Sequence, residues 1–178
     1  VLNRPADIWD VTWGILTGEL YTRRHEWITP RVVSPALDVG CGQGYQGTLI
    51  ALEGHDIRGM DLHPGLVALS SRMAEANGVT FPVSVGNVYQ IDYPDTSFET
   101  IVCTEVLEHL DDPGWALKEM ARVGKRLLLS TPGFGAMRIP GHIQDFTEED
   151  LAELVSVDWV IVEHVQDHPW QYVEAVRK

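Results

Sequence analysis

Residues 37–47 read LDVGCGQGYQG, a short apolar run that ends in a glycine-rich turn. Counted from Gly42, the stretch is G-x-G-x-x-G through Gly44 and Gly47. That spacing lets a strand-to-helix turn carry a dinucleotide pyrophosphate on the helix N-terminus. Counted from Asp38, it is acid-x-G-x-G-x-G, with Gly40, Gly42 and Gly44 on alternate positions. Asp38 separates the two readings. A carboxylate two residues before a phosphate cradle would oppose the bound anion, whereas it suits a ligand that carries an ammonium and a sulfonium. Asp61, at the end of the next apolar run, can accept hydrogen bonds from ribose hydroxyls under either reading.

Outward from this turn, strands and helices alternate. Residues 36–39 are a first strand, and YQGTLIALEG (45–54) is a helix stopped at Gly54. DIRGMDL (56–62) is a second strand, and PGLVALSSRMAEANG (64–78) is a helix with Pro64 in its first turn and Gly78 at its stop. VTFPVSVG (79–86) and FETIVCTEV (98–106) follow as strands, residues 113–123 as an amphipathic helix, and KRLLLSTP (125–132) as the fifth strand. Thr147 as N-cap with Asp150 three residues on predicts a helix through TEEDLAELV (147–155). Two strands, near WVIVEHV (159–165) and QYVEAVRK (171–178), close the chain around QDHP. The pattern predicts an α/β fold: a doubly wound, mostly parallel, seven-stranded Rossmann-like sheet with a terminal antiparallel strand pair. Residues 1–34, with Trp9, Trp13, Tyr21 and Trp27, read as an N-terminal helical segment, and residues 35–178 as the core of the same single domain.

The chain has 178 residues, 44% hydrophobic and 22% charged, the composition of one globular domain. It has no apolar run of spanning length, so no membrane partner is expected. No basic-then-apolar leader is visible, and a start at Val1 fits a trimmed N-terminus. Cys41 and Cys103 match no metal or disulfide spacing, which makes a reducing cytoplasm the expected location. The formal net charge of −13 repels polyanions, and only Arg23-Arg24 and Lys125-Arg126 cluster basic charge. Duplex nucleic acid is therefore not an expected partner. A monomer or homodimer acting on a small molecule is.

Over roughly residues 36–155 the sequence resembles the class I S-adenosylmethionine-dependent methyltransferases. LDVGCGQG is similar to the family's first motif and GMDL to its second, and GNVYQIDYPDTSFETIVCTEVLEHL (86–110) is similar to the stretch around the fourth strand. The resemblance implies S-adenosyl-L-methionine as cofactor. It places Gly40, Gly42 and Gly44 under the cofactor, Asp38 at its methionine end and Asp61 on the ribose. It also implies adenine contacts at Asn87, where the family usually has Asp, with Val88 beside it and Thr104 at the strand end.

The acceptor chemistry is carried by TEVLEHL (104–110). If a helix begins near Glu105, then Glu105, Glu108 and His109 share one face. His142 enters from the loop after the fifth strand. The pattern resembles two metal-dependent branches of the family, the small-RNA 3′-terminal 2′-O-methyltransferases and the ubiquinone-biosynthesis O-methyltransferases. That resemblance implies Glu105, Glu108, His109 and His142 as ligands of Mg²⁺ or Mn²⁺, which would lower the pKa of a bound hydroxyl. Without a metal, Glu105 borders the cofactor, Glu108 is a solvated face, and Glu108 or His109 is the candidate base. Met137, Ile139 and Phe146 either line an acceptor pocket or simply pack. The expectation is methyl transfer to a small molecule, at oxygen. The alternatives are RNA 3′-end 2′-O-methylation and a catalytically silent S-adenosylmethionine-binding partner protein.

Overall fold

The computed structural model describes residues 22–135 and 141–178. Residues 22–28 are helical (α1) and run into a 3-10 turn, Thr29–Arg31. Then come β1 (Ala36–Val39), α2 (Tyr45–Leu52), β2 (Ile57–Asp61), α3 (Pro64–Ala76), β3 (Val83–Val85), β4 (Phe98–Thr104), α4 (Pro113–Val123), β5 (Gly124–Pro132), α5 (Glu148–Val155), β6 (Trp159–Asp167) and β7 (Trp170–Arg177). The seven strands form one sheet in the order β3-β2-β1-β4-β5-β7-β6. β7 runs antiparallel between β5 and β6, and every other pair is parallel.

Local chemistry sets the ends of these elements. Thr147 accepts from the backbone N–H of Asp150 at 3.1 Å, and the Asp150 carboxylate reaches back to Thr147, which makes the capping box anticipated for α5. Asp112 caps α4 through the backbone N–H of Trp115 at 2.9 Å, ahead of Pro113. β3 is shorter than the sequence suggested. Pro82 has no N–H for the ladder, so only its carbonyl is used, by Gly59, and pairing starts at Val83. β6 and β7 run further into QDHP than expected, which leaves His168 and Pro169 as the turn.

Strand periodicity splits the core between the two sheet faces. Leu127 and Leu129 point to the side covered by α4 and α5, with Ile101, Leu117, Met120, Leu151 and Trp159. Leu128 points to the other side, with Val102, Ile50, Phe81 and Ile28. Both faces are covered, as a parallel sheet requires. Phe146 is buried in the first cluster, so it packs and does not line a pocket.

α1 is fixed to the β6–β7 side of the sheet. Trp27 stacks on Tyr172 with ring centroids 5.3 Å apart, and the Arg31 guanidinium lies 4.5 Å over the Trp27 ring. Arg31 also pairs with Glu163 at 2.9 Å and Glu174 at 3.3 Å. Trp9, Trp13, Tyr21, Met137 and Ile139 lie outside the described residues. Among the described residues no helix is long and apolar enough to cross a membrane.

Strand order reverses between β1 and β4, because β1 pairs with both β2 and β4. In an open α/β sheet, ligands bind at such a switch point, beyond the carboxyl ends of the strands. The loops after β1, β2, β4 and β5 all emerge there.

Candidate functional site

The turn after β1 has three positions, 40, 42 and 44, with left-handed φ that only glycine fills cheaply. Gly44 caps α2 at φ +81°, and a Cβ there would lie 2.1 Å from Ser70 Oγ. Gly42 has φ +54° with nothing within 4 Å of a would-be Cβ, so the turn presents bare backbone to open space. Gly47 is different. It sits inside α2, where a Cβ would meet the Phe81 ring at 2.0 Å, so its smallness serves helix packing.

Asp38, on β1 between Gly59 and Val102, is 1% exposed. Neither carboxylate oxygen has a hydrogen-bond partner, although the Gly47 N–H leans on it electrostatically. Burial pushes its pKa up to about 7, against the pull of Gly47 and of the Arg24 guanidinium. Two unsatisfied buried acceptors beside open glycine backbone fit an ammonium donor and disfavour a phosphate. Asp61 is already engaged, accepting from Gly42 N–H and His63 N–H at 2.9 Å each. Each of its oxygens keeps a lone pair for a hydroxyl. Asn87 is exposed and accepts from Tyr89 N–H at 2.9 Å, while Val88 packs on the core. Val106, from the loop after β4, lies against Gly40, where a Cβ would come within 2.6 Å of it.

Thr104 ends β4 opposite Ser130, and the segment after it departs from expectation. No helix begins near Glu105. Glu105 has a left-handed φ of +55°, and a 3-10 turn, Leu107–His109, follows. Glu105 therefore does not share a face with Glu108 and His109. Its carboxylate accepts from Ser130 Oγ at 2.8 Å and from Trp170 Nε1 at 2.9 Å, and lies 3.5 Å from the Arg24 guanidinium. These donors turn it away from the proposed metal set. Nor is Glu108 a solvated face: it is 1% exposed, with Thr131 Oγ1 donating to Oε2 at 3.1 Å and Oε1 unpartnered. Burial first, then the Glu105 charge, pushes its pKa up to about 8.

Glu108, His109 and His142 do come together, with one ligand atom from each within 4.8 Å of the others. The two imidazole rings meet edge to face at 4.8 Å. His109 Nδ1 lies 2.9 Å from the Gly141 carbonyl, and a carbonyl only accepts, so Nδ1 carries a proton and, in the neutral ring, Nε2 carries the lone pair.

Sequence reasoning treated Arg24 only as half of a basic pair. Its guanidinium is buried and acts on Asp38, Glu105 and Glu108 together. The one trace of this in the sequence is a cation within the aromatic-rich segment before β1.

Residues 37–127 match the methyltransferase domain family. A probable S-adenosylmethionine-dependent methyltransferase of Mycolicibacterium smegmatis is 29% identical over 157 residues, which is 80% of this chain and 60% of that protein. A ubiquinone biosynthesis O-methyltransferase of Xanthomonas euvesicatoria pv. vesicatoria is 33% identical over 116 residues, 61% of this chain and 48% of that one. The chain thus spans about half to three-fifths of the length of these curated relatives. Among solved structures, the magnesium protoporphyrin IX methyltransferase of Synechocystis PCC 6803 with bound SAH superposes with a TM-score of 0.76 at 17% identity. That superposition covers 97% of this chain and 90% of the other, and it shares the fold.

Proposed function

The chain belongs to the methyltransferase domain family, and on that premise we propose that it methylates a small-molecule acceptor at oxygen. S-adenosylmethionine, when bound, supplies a methyl group on a good leaving group, so positioning can provide much of the acceleration, up to roughly 7–11 kcal/mol in well-oriented systems. The residues of this chain divide that work. Asp38 takes the ammonium and Arg24 the carboxylate of the methionine end. Asp61 accepts from the ribose hydroxyls, and Asn87 and Val88 meet the adenine. Gly42 leaves room for the body of the cofactor beside Thr104, and Gly40 and Gly44 let the turn pass close to Val106 and Ser70 beneath it. His109 accepts the acceptor's hydroxyl proton through Nε2, next to Glu108.

The observation that carries transfer to oxygen is the lone pair on His109 Nε2, fixed by the Gly141 carbonyl. An alcohol or phenol needs a base to become a nucleophile, whereas a neutral amine does not. The O-methyltransferase named among the relatives supports the same choice. The test is a panel of catechols, phenols, hydroxy acids, amines and thiols incubated with methyl-tritiated cofactor. Label in an ether that disappears with His109→Gln supports the proposal. Label only in amines or thiols overturns transfer to oxygen.

A second reading is favoured by one observation, the convergence of Glu108, His109 and His142. These three could hold a divalent cation that lowers the pKa of the acceptor hydroxyl, and two imidazoles suit Mn²⁺ better than Mg²⁺. Mn²⁺ titration of the wild type and of His142→Ala decides it: heat in the first and none in the second. RNA 3′-end methylation is not favoured, because the ligand set it borrows would need Glu105 and the net charge is −13.

A further inference from the structure

The segment after β5 is stitched to the 3-10 turn after β4 at four points. Ile143 N–H donates to the Glu108 carbonyl at 2.9 Å, and His109 Nδ1–H donates to the Gly141 carbonyl at 2.9 Å. The other two contacts come from a single side-chain nitrogen. Gln144 Nε2 donates to the Leu107 carbonyl at 3.1 Å and to the Leu110 carbonyl at 2.5 Å.

A 3-10 turn this short has carbonyls that no following helical N–H can satisfy. Leu110 N–H reaches back to the Leu107 carbonyl, at 3.2 Å, while the carbonyl of Leu110 itself accepts from Gln144 Nε2. Gln144 spans the two carbonyls that bracket Glu108 and His109. It therefore holds both ends of the turn to the β5 loop, and with them the Gly141 carbonyl that selects the His109 tautomer. Glutamine suits this place because its amide is a neutral donor at the end of a two-methylene stem. A glutamate of the same length would set a carboxylate against two carbonyl oxygens.

We propose that Gln144 is a positioning residue, clamping segment 141–144 to the turn 107–110 so that His109 keeps its proton on Nδ1 and its lone pair on Nε2. The proposal rests on His109 acting at the site, but it is testable without an acceptor. In water a neutral histidine side chain favours the opposite, Nε2–H tautomer, so a loosened clamp has a direction in which to relax.

The experiment is long-range ¹H–¹⁵N correlation spectroscopy of the histidine rings at pH 8, with and without S-adenosylhomocysteine, and with His109 assigned by its loss in His109→Gln. In the wild type the protonated nitrogen of His109 is expected to be Nδ1. In Gln144→Ala and Gln144→Glu it is expected to be Nε2 in most molecules, and the Ile143 amide is expected to exchange at least tenfold faster. Gln144→Met keeps the stem without the donor and replaces Gln144→Ala if that variant does not fold. An unchanged tautomer in the variants overturns the proposal. Absence of saturable S-adenosylhomocysteine binding would instead count against the cofactor assignment, while the spectra of the free protein still decide the role of Gln144.

Discussion

The backbone N–H of Gly42 donates to Asp61 Oδ2 at 2.9 Å, so the turn after β1 and the end of β2 are one hydrogen-bonded unit. The other oxygen of the same carboxylate holds His63 N–H, at the start of α3. Asp61 thus shapes the glycine turn before any ribose meets it.

Asp61→Asn tests that double duty. An amide has one acceptor oxygen for two N–H donors, and its NH₂ would face one of them. Loss of a satisfied partner costs roughly 1–3 kcal/mol, and each 1.4 kcal/mol is about tenfold in affinity. S-adenosylhomocysteine affinity, read by titration calorimetry, is expected to fall about ten- to a hundredfold. A change below about twofold would mean that the turn keeps its shape without the carboxylate.

Asp38 should make cofactor binding pH-dependent. Its pKa in the free protein is pushed up to about 7, and a bound ammonium requires the carboxylate form. Affinity is expected to rise about tenfold per pH unit up to about 7 and to level off above it. Stability moves the other way. A carboxyl whose folded pKa lies above its unfolded value stabilises the fold most below pH 4, and that contribution is lost as pH rises through 7. Glu108, at about 8, adds a second loss over a slightly higher window. Asp38→Asn and Glu108→Gln should therefore each stabilise the ligand-free protein at pH 8 and leave it nearly unchanged at pH 4. Equal stability of the wild type and Asp38→Asn at pH 8 would contradict the burial argument.

Much of the frame was legible because its signals are local. Thr147 with Asp150, Asp38 before alternate glycines, and the apolar run of KRLLLSTP each fix an element within a few residues. The stretch TEVLEHL misled for the opposite reason. Its spacing is helical, but Glu105 is held at φ +55° by Ser130, Trp170 and Arg24, which lie far along the chain. Gln144 and Arg24 were missed on the same ground: what they touch is set by strand order, not by neighbours in sequence.

Glu105 is expected to be a brace and not a metal ligand. Removing its carboxylate strands the Trp170 indole N–H and leaves Arg24 among Asp38 and Glu108. Glu105→Ala should cost about 1–3 kcal/mol of stability by urea denaturation, in the range for a broken buried network. Any Mn²⁺ affinity should stay within about twofold of the wild type, whereas His142→Ala should abolish it. Joint loss of Mn²⁺ binding in both variants would return Glu105 to the ligand set.

Gly42, which both readings of LDVGCGQGYQG share, and Gly47, which only the G-x-G-x-x-G reading uses, separate cleanly by substitution. At Gly47 a methyl group would press into the Phe81 ring, so Gly47→Ala should destabilise the fold by about 1–3 kcal/mol, as overpacking does. Phe81→Leu in the same chain should restore part of that loss by shortening the obstructing side chain. At Gly42 no neighbour stands in the way, but φ is +54° and the freed space faces the proposed cofactor. Gly42→Ala should therefore cost about 1 kcal/mol of stability from its left-handed backbone and lower S-adenosylhomocysteine affinity by tenfold or more. Thermal melts with and without ligand read both effects. If the ligand-induced rise in Tm is lost in Gly47→Ala and kept in Gly42→Ala, the cofactor lies across α2, and the reading that starts at Asp38 fails.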